Sequence, residues 1–204
     1  MSQYLSDLVQ SVNLRKDLRR AEQCILQGEH EAALRAYRSA LKTAEGTDGA
    51  DSPVVGDICY ILSGLYEAVK KNPQKSIEML ARAYKITVAE LGSTAVETGK
   101  ILYNLGRLYL QAGNDKRAAG AFIRALEILE KEMGSGHPVV ASILNNMGDI
   151  YENNGERRKA LEYYIKARRI LAASSQADPD ELARLNGKLR RLGAFKENSE
   201  MTQL

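Results

Sequence analysis

One stretch of this chain recurs, and the recurrence constrains the fold more than any other feature. In GHPVVASILNNMGDIYENNGERRKALEYYIKARRIL, residues 136–171, Val140, Ile143, Leu144, Met147 and Tyr151 follow at three- and four-residue steps. That spacing places them on one face of a helix. Asn154-Gly155 ends the helix, since both residues tolerate the left-handed conformation of a helix end. Ala160, Tyr164, Ala167 and Leu171 mark one face of a second helix, and so short a turn forces the two to pack antiparallel. Leu105-Gly106-Arg107-Leu108-Tyr109 matches Met147-Gly148-Asp149-Ile150-Tyr151 at an offset of 42, as do Gly113, Ala118 and Ala125 with Gly155, Ala160 and Ala167. Ser63 and Tyr66 match Gly106 and Tyr109 at 43, and Ser76 and Ala83 match Ala118 and Ala125 at 42, so the turn 70–75 carries one extra residue. Gly28, Ala33, Tyr37, Ala40 and Leu41 match Gly113, Ala118, Phe122, Ala125 and Leu126 at 85. Helix pairs at a fixed period predict a solenoid, because one pair cannot bury its apolar face alone.

The fold class expected is therefore all-α, a right-handed superhelical solenoid of antiparallel helix pairs. Its parts are an N-terminal helix or cap (1–13), an irregular first repeat (14–45), repeats at 53–92, 94–134 and 137–173, a capping helix (179–195) and a polar tail (196–204). The small residues Gly106, Gly148, Ala118, Ala160, Ala125 and Ala167 are expected where helix backbones approach closely, with Tyr109, Tyr151, Phe122 and Tyr164 filling the larger gaps. All four prolines follow a residue suited to a helix start: Ser52-Pro53, Asn72-Pro73, His137-Pro138 and Asp178-Pro179. Proline at the first helical position loses nothing, since that N–H has no partner in any case. Asp178 with Glu181 predicts a capping box. Arg20 stands where the repeat wants a core residue. Tyr4, Leu5, Leu8, Val9 and Val12 form an apolar stripe that suits a cap or an interface, and Leu182, Leu185, Leu189 and Leu192 face inward in the last helix.

The motif small-x-x-Tyr-x-x-x-Gly, followed by Ala, aromatic and Ala, resembles the tetratricopeptide repeat. The period is longer than that family's usual 34 residues. With Gly136-His137-Pro138, Leu144-Asn145-Asn146 and Ala125-Leu126-Glu127-Ile128 it is similar to the extended repeats of kinesin light chains. The resemblance implies a non-catalytic scaffold or adaptor whose first helices line a concave groove for a protein or peptide ligand. Carried over residue by residue, that groove takes Asp57, Tyr60, Ile61 and Gly64, then Lys100, Tyr103, Asn104, Arg107 and Gln111, then Ser142, Asn145, Asn146, Asp149 and Asn153. Asparagine offers both a donor and an acceptor to a peptide backbone. Tyrosine adds contact area at low entropic cost, and Lys100 and Arg107 suit an acidic group.

Little points to chemistry. There are two histidines, His30 and His137, both beside turns, and no His-Glu-x-x-His, Cys-x-x-Cys or phosphate-cradling glycine loop. No catalytic residue, metal or cofactor is expected. An apolar fraction of 44% suits a folded, soluble chain. No apolar run reaches the length of a membrane span, and the first twenty residues lack the apolar core of a secretory signal. Cys24 and Cys59 fall on first-helix faces and are expected reduced and buried, which fits the cytoplasm. A net charge of +3 does not imply a polyanionic partner. The basic runs at 157–159, 166–169 and 188–191 are interleaved with acids and accompanied by few aromatics, so nucleic acid and membrane are disfavoured. An RNA or anionic-membrane binder is nevertheless the alternative, together with self-association through the end helices.

Overall fold

Each proline identified above opens a helix in the computed structural model of the chain, which describes residues 11–69, 72–175 and 178–194. In chain order the described helices are α1 (Val12–Leu26), α2 (His30–Thr47), α3 (Pro53–Ala68), α4 (Pro73–Leu91), α5 (Val96–Gln111), α6 (Asp115–Met133), α7 (Pro138–Asn153), α8 (Arg157–Ala173) and α9 (Pro179–Arg191); no strand occurs among the described residues. Asn72 and Asn114 cap α4 and α6 by accepting from the N–H groups of Lys75 and Arg117, and His137 Nδ1 accepts from Val139 N–H at the start of α7. Asp178 accepts from Asp180 N–H. The expected capping box is not what Glu181 serves: its carboxylate accepts from Ser142 Oγ of α7 at 2.6 Å.

The turns inside the pairs repeat in detail. Gly28, Gly113 and Gly155 have φ of 73°, 71° and 75°. The residue after each donates back to a first-helix carbonyl five positions earlier: Glu29 to Cys24, Asn114 to Tyr109 and Glu156 to Tyr151. This arrangement satisfies carbonyls the helix end would otherwise leave bare, and only a residue at ease with positive φ can close it.

The stack is an all-α, right-handed superhelical solenoid of antiparallel pairs, α1/α2, α3/α4, α5/α6 and α7/α8, with α9 following as a single helix. Its buried core falls into three successive clusters, from Leu14 and Leu18 at one end to Leu185 and Leu189 at the other, joined by half-buried side chains such as Tyr109 and Tyr151. The small residues earn their places from aromatic rings more than from backbones. A Cβ on Gly106 would lie 2.5 Å from the Phe122 ring, and one on Gly148 would lie 2.4 Å from the Tyr164 ring. In α3/α4 the same position is Ser63 and the ring is replaced by Leu80, which leaves room for a hydroxyl pair: Ser63 Oγ and Ser76 Oγ are 3.0 Å apart, and Ser76 also donates to the Ser63 carbonyl.

Several expectations need correction. Tyr109 and Tyr151 are only half-buried: each ring packs between two neighbouring stretches of the core, and Arg117 and Lys159 lie over their outer faces at 5.7 and 5.1 Å. Cys59 is buried, but Cys24 is only half-buried. α1 runs across the boundary placed at residue 14, with Ser11 as its cap. Val12 is 78% exposed, while Tyr4, Leu5, Leu8 and Val9 lie outside the described residues. Arg20 is exposed, because Leu14, Leu18 and Ala21 already fill the core side of α1. At the other end Leu185 and Leu189 are buried and Leu182 and Leu192 pack against them, so α9 covers the last pair.

Candidate ligand-binding face

The helices α1, α3, α5 and α7 begin each pair, and α9 takes the place of a further first helix. Polar side chains bond laterally from one to the next. Asn104 Nδ2 donates to the Tyr60 hydroxyl at 3.1 Å. Arg107 pairs with Glu67 at 3.0 Å and lies 3.5 Å from Asn104 Oδ1, and Gln111 reaches the same Glu67. Burial raises the Tyr103 hydroxyl above its usual pKa, against the pull of Arg107, Ser142 and Asn146 around it. Asn146 Nδ2 turns onto its own helix and donates to the Ser142 carbonyl at 2.9 Å.

The row continues onto α9. Lys188 Nζ donates to Asn145 Oδ1 at 3.0 Å and to Asp149 Oδ1 at 2.5 Å, and Arg191 donates to Glu152 at 2.7 Å. Beneath them the Tyr164 hydroxyl stands 2.5 Å from Asp149 and 2.7 Å from Glu152. Burial works against ionisation of Glu152, but hydrogen bonds from Tyr164 and Arg191 outweigh it and hold the carboxyl below its usual value. Arg168 Nε to Asn186 and Arg157 to the Leu192 carbonyl fasten the flank of α9.

The face thus gathers residues from three successive first helices. Tyr60, Ile61, Tyr103, Asn104, Arg107, Ser142, Asn145, Asn146 and Asp149 are half-buried, whereas Asp57, Gly64, Lys100, Gln111 and Asn153 are exposed. Sequence reasoning missed their partners Glu67, Glu152, Glu181, Lys188 and Arg191. The signal was present: Glu67/Arg107, Asp149/Lys188 and Glu152/Arg191 are opposite charges about one period apart. The few aromatics near the basic runs gather at one place. Tyr151 and Tyr163 stack at 5.2 Å between centroids, with Lys159 and Lys166 over them. Lys159 and Arg158 are nevertheless paired with Glu156 and Glu162. Among the described residues no group of three or more His, Cys, Asp or Glu is placed to hold a metal ion, and no helix is long and apolar enough to cross a membrane.

The tetratricopeptide repeat profile matches residues 57–131 and 118–173, together more than half of the chain. The chain belongs to the tetratricopeptide repeat family. BtubC (BKLC) from P. vanneervenii shares its fold with a TM-score of 0.71 at 21% identity, over 100% of this chain and 92% of that one. A putative kinesin light chain from Podospora anserina, with nearly identical TPR-like repeats, gives 0.70 at 20% identity, over 94% and 92%. The apo form of RapI gives 0.73 at 20% identity, over 90% of this chain and 66% of that one. No curated protein matches the sequence. At these identities the solved structures establish the fold. A tetratricopeptide repeat stack is in general a protein-interaction scaffold, typically non-catalytic, that binds protein or peptide partners.

Proposed function

We propose that the chain is a non-catalytic adaptor that holds a segment of another protein on the concave face lined by its first helices, and so serves the assembly or regulation of a complex. The observation carrying this reading is the row of polar and aromatic side chains, one repeat apart, running through Tyr60, Tyr103, Asn104, Arg107, Asn145 and Asn146. Because Asn104 and Asn146 already bond within the chain, a ligand exchanges hydrogen bonds there and does not fill vacant ones. Each contact therefore contributes modestly, and affinity comes from their number. Free thiols at Cys24 and Cys59 support a reducing compartment, the cytoplasm.

The test is calorimetric titration of a partner recovered by affinity capture against Asn104→Ala/Asn146→Ala. A loss of about 0.5–1 kcal/mol per amide is expected, roughly five- to thirtyfold in affinity for the pair. Melting should move little, since neither side chain fills the core. A folded double variant that binds as tightly as wild type removes the concave face from consideration.

A further inference from the structure

A cleft of about 440 Å³ opens between α2, the C-terminal end of α3 and the start of α4, and shares no lining residue with the face proposed above. Leu34 and Tyr66 give it apolar surface, Arg35, Arg38 and Lys75 supply three cations, and Asn72 and Glu31 complete its lining. A shallower cleft sharing Glu31 and Arg35 continues it past His30 to Ala68 and Val69.

The two arginines break the repeat. Arg35 stands where the other pairs have Glu78, Gly120 and Glu162, and Arg38 where they have Ala81, Ile123 and Ile165. Packing does not call for this change, because both arginines are exposed. Their acidic neighbours answer the charge incompletely. Glu31 is 3.9 Å from Arg35 with both side chains more than half exposed. Lys75 is held 2.7 Å from Glu78, whose hydrogen bond and charge raise its pKa, while Arg38 across the cleft pushes it down. Two elements from different repeats thus bring like charges together beside an apolar wall, an arrangement that opposes packing in the free protein and favours a bound anion.

We infer that this cleft is a second docking site, for an acidic segment of a partner protein that presents carboxylates to Arg35, Arg38 and Lys75 and an apolar side chain to Leu34 and Tyr66. A continuous phosphate backbone suits it poorly, since Glu31 and Glu78 stand at the rim and the apolar wall offers phosphates nothing. The site shares no residue with the concave face and does not depend on that reading.

Fluorescence anisotropy on the full chain tests it, with a labelled peptide of alternating glutamate and leucine, its glutamine–leucine counterpart, and oligouridylate. The acidic peptide should bind wild type at low ionic strength, weaken as salt is added, and lose about tenfold or more in affinity to Arg38→Glu/Lys75→Glu. The glutamine peptide should not bind, and Asn104→Ala/Asn146→Ala should bind the acidic peptide like wild type. Melting curves confirm folding; Arg38→Ala/Lys75→Ala replaces the charge reversal if that variant does not fold. No binding by wild type, equal binding by the folded charge variant, loss of binding in the asparagine variant, or tighter binding of oligouridylate would each overturn the proposal.

Discussion

Tyr37 in the first helix pair and Tyr164 in the last occupy the same place in the repeat, and both side chains are fully buried. Their hydroxyls meet different fates. Tyr164 stands between Asp149 and Glu152, whose charges are answered by Lys188 and Arg191 of α9. The Tyr37 hydroxyl is buried with no hydrogen-bond partner among the described residues. Desolvation first, and the charge of buried Glu22 second, push its pKa well above the usual value. The difference starts inside the pair and is completed by the helix after it: α7 offers Asp149 and Glu152 to the Tyr164 hydroxyl, and α9 supplies the cations that answer their charge. One core position therefore serves packing alone at one end, and at the other also anchors the polar fastening of the terminal helix.

Three measurements would break or sharpen that comparison. The largest effect belongs to the glycines that accommodate the rings. Gly148→Ala gains up to about 1 kcal/mol in helix propensity, but its Cβ meets a fully buried ring, and overpacking of that kind costs about 1–3 kcal/mol. A lowered thermal midpoint is expected, with a less than additive loss when Tyr164 is also changed to Leu, the combination Ser63 and Leu80 imitate in α3/α4. Gly120→Ala, where a Cβ meets nothing within 4 Å, should instead stabilise by about 0.5–1 kcal/mol. Equal behaviour of the two glycines would remove the steric account.

The second effect is smaller and differs in sign between the ends. Tyr164→Phe removes a hydrogen bond to carboxylates and should cost about 1 kcal/mol in denaturant melts. Tyr37→Phe removes a buried hydroxyl with no partner among the described residues and should be neutral or slightly stabilising. Comparable losses at both positions would mean that Tyr37 has a partner after all.

The smallest effect is a pH dependence confined to the C-terminal end. The Glu152 carboxyl is depressed in the folded chain, so its contribution is present above the ordinary glutamate pKa and is lost as pH falls through the folded value. Amide protection factors within α9, corrected for the intrinsic pH dependence of exchange, should fall on acidification before those in α3 do. The step should shrink in Arg191→Gln, and the solvent exposure of Arg191 keeps it modest.

Much of this architecture was legible because it rests on short-range rules. Pro53, Pro73, Pro138 and Pro179 marked helix starts since their rings pre-set φ and they lack the N–H that a first turn leaves unbonded. Gly113 and Gly155 marked turns since positive φ is cheap only for glycine and a few others. The candidate face was legible only in part. Asn104 and Asn146 look equivalent in the repeat, yet Asn104 donates across to Tyr60, whereas Asn146 donates to the Ser142 carbonyl of its own helix with the Tyr103 hydroxyl beside it and Ser142. Glu181 looked like a capping residue, and a hydroxyl on the neighbouring helix claimed it.

What the sequence determined by itself was the period, the pairing of helices and the apolar faces that stack, because these follow from spacing along one chain and from residue size. Tertiary structure decided which polar side chains are satisfied, by whom, and which cations from different repeats line one cleft, as Arg38 and Lys75 do. Those outcomes depend on the lateral register of helices about forty residues apart, where a shift of one residue exchanges a partner for solvent, and no local rule carries that register.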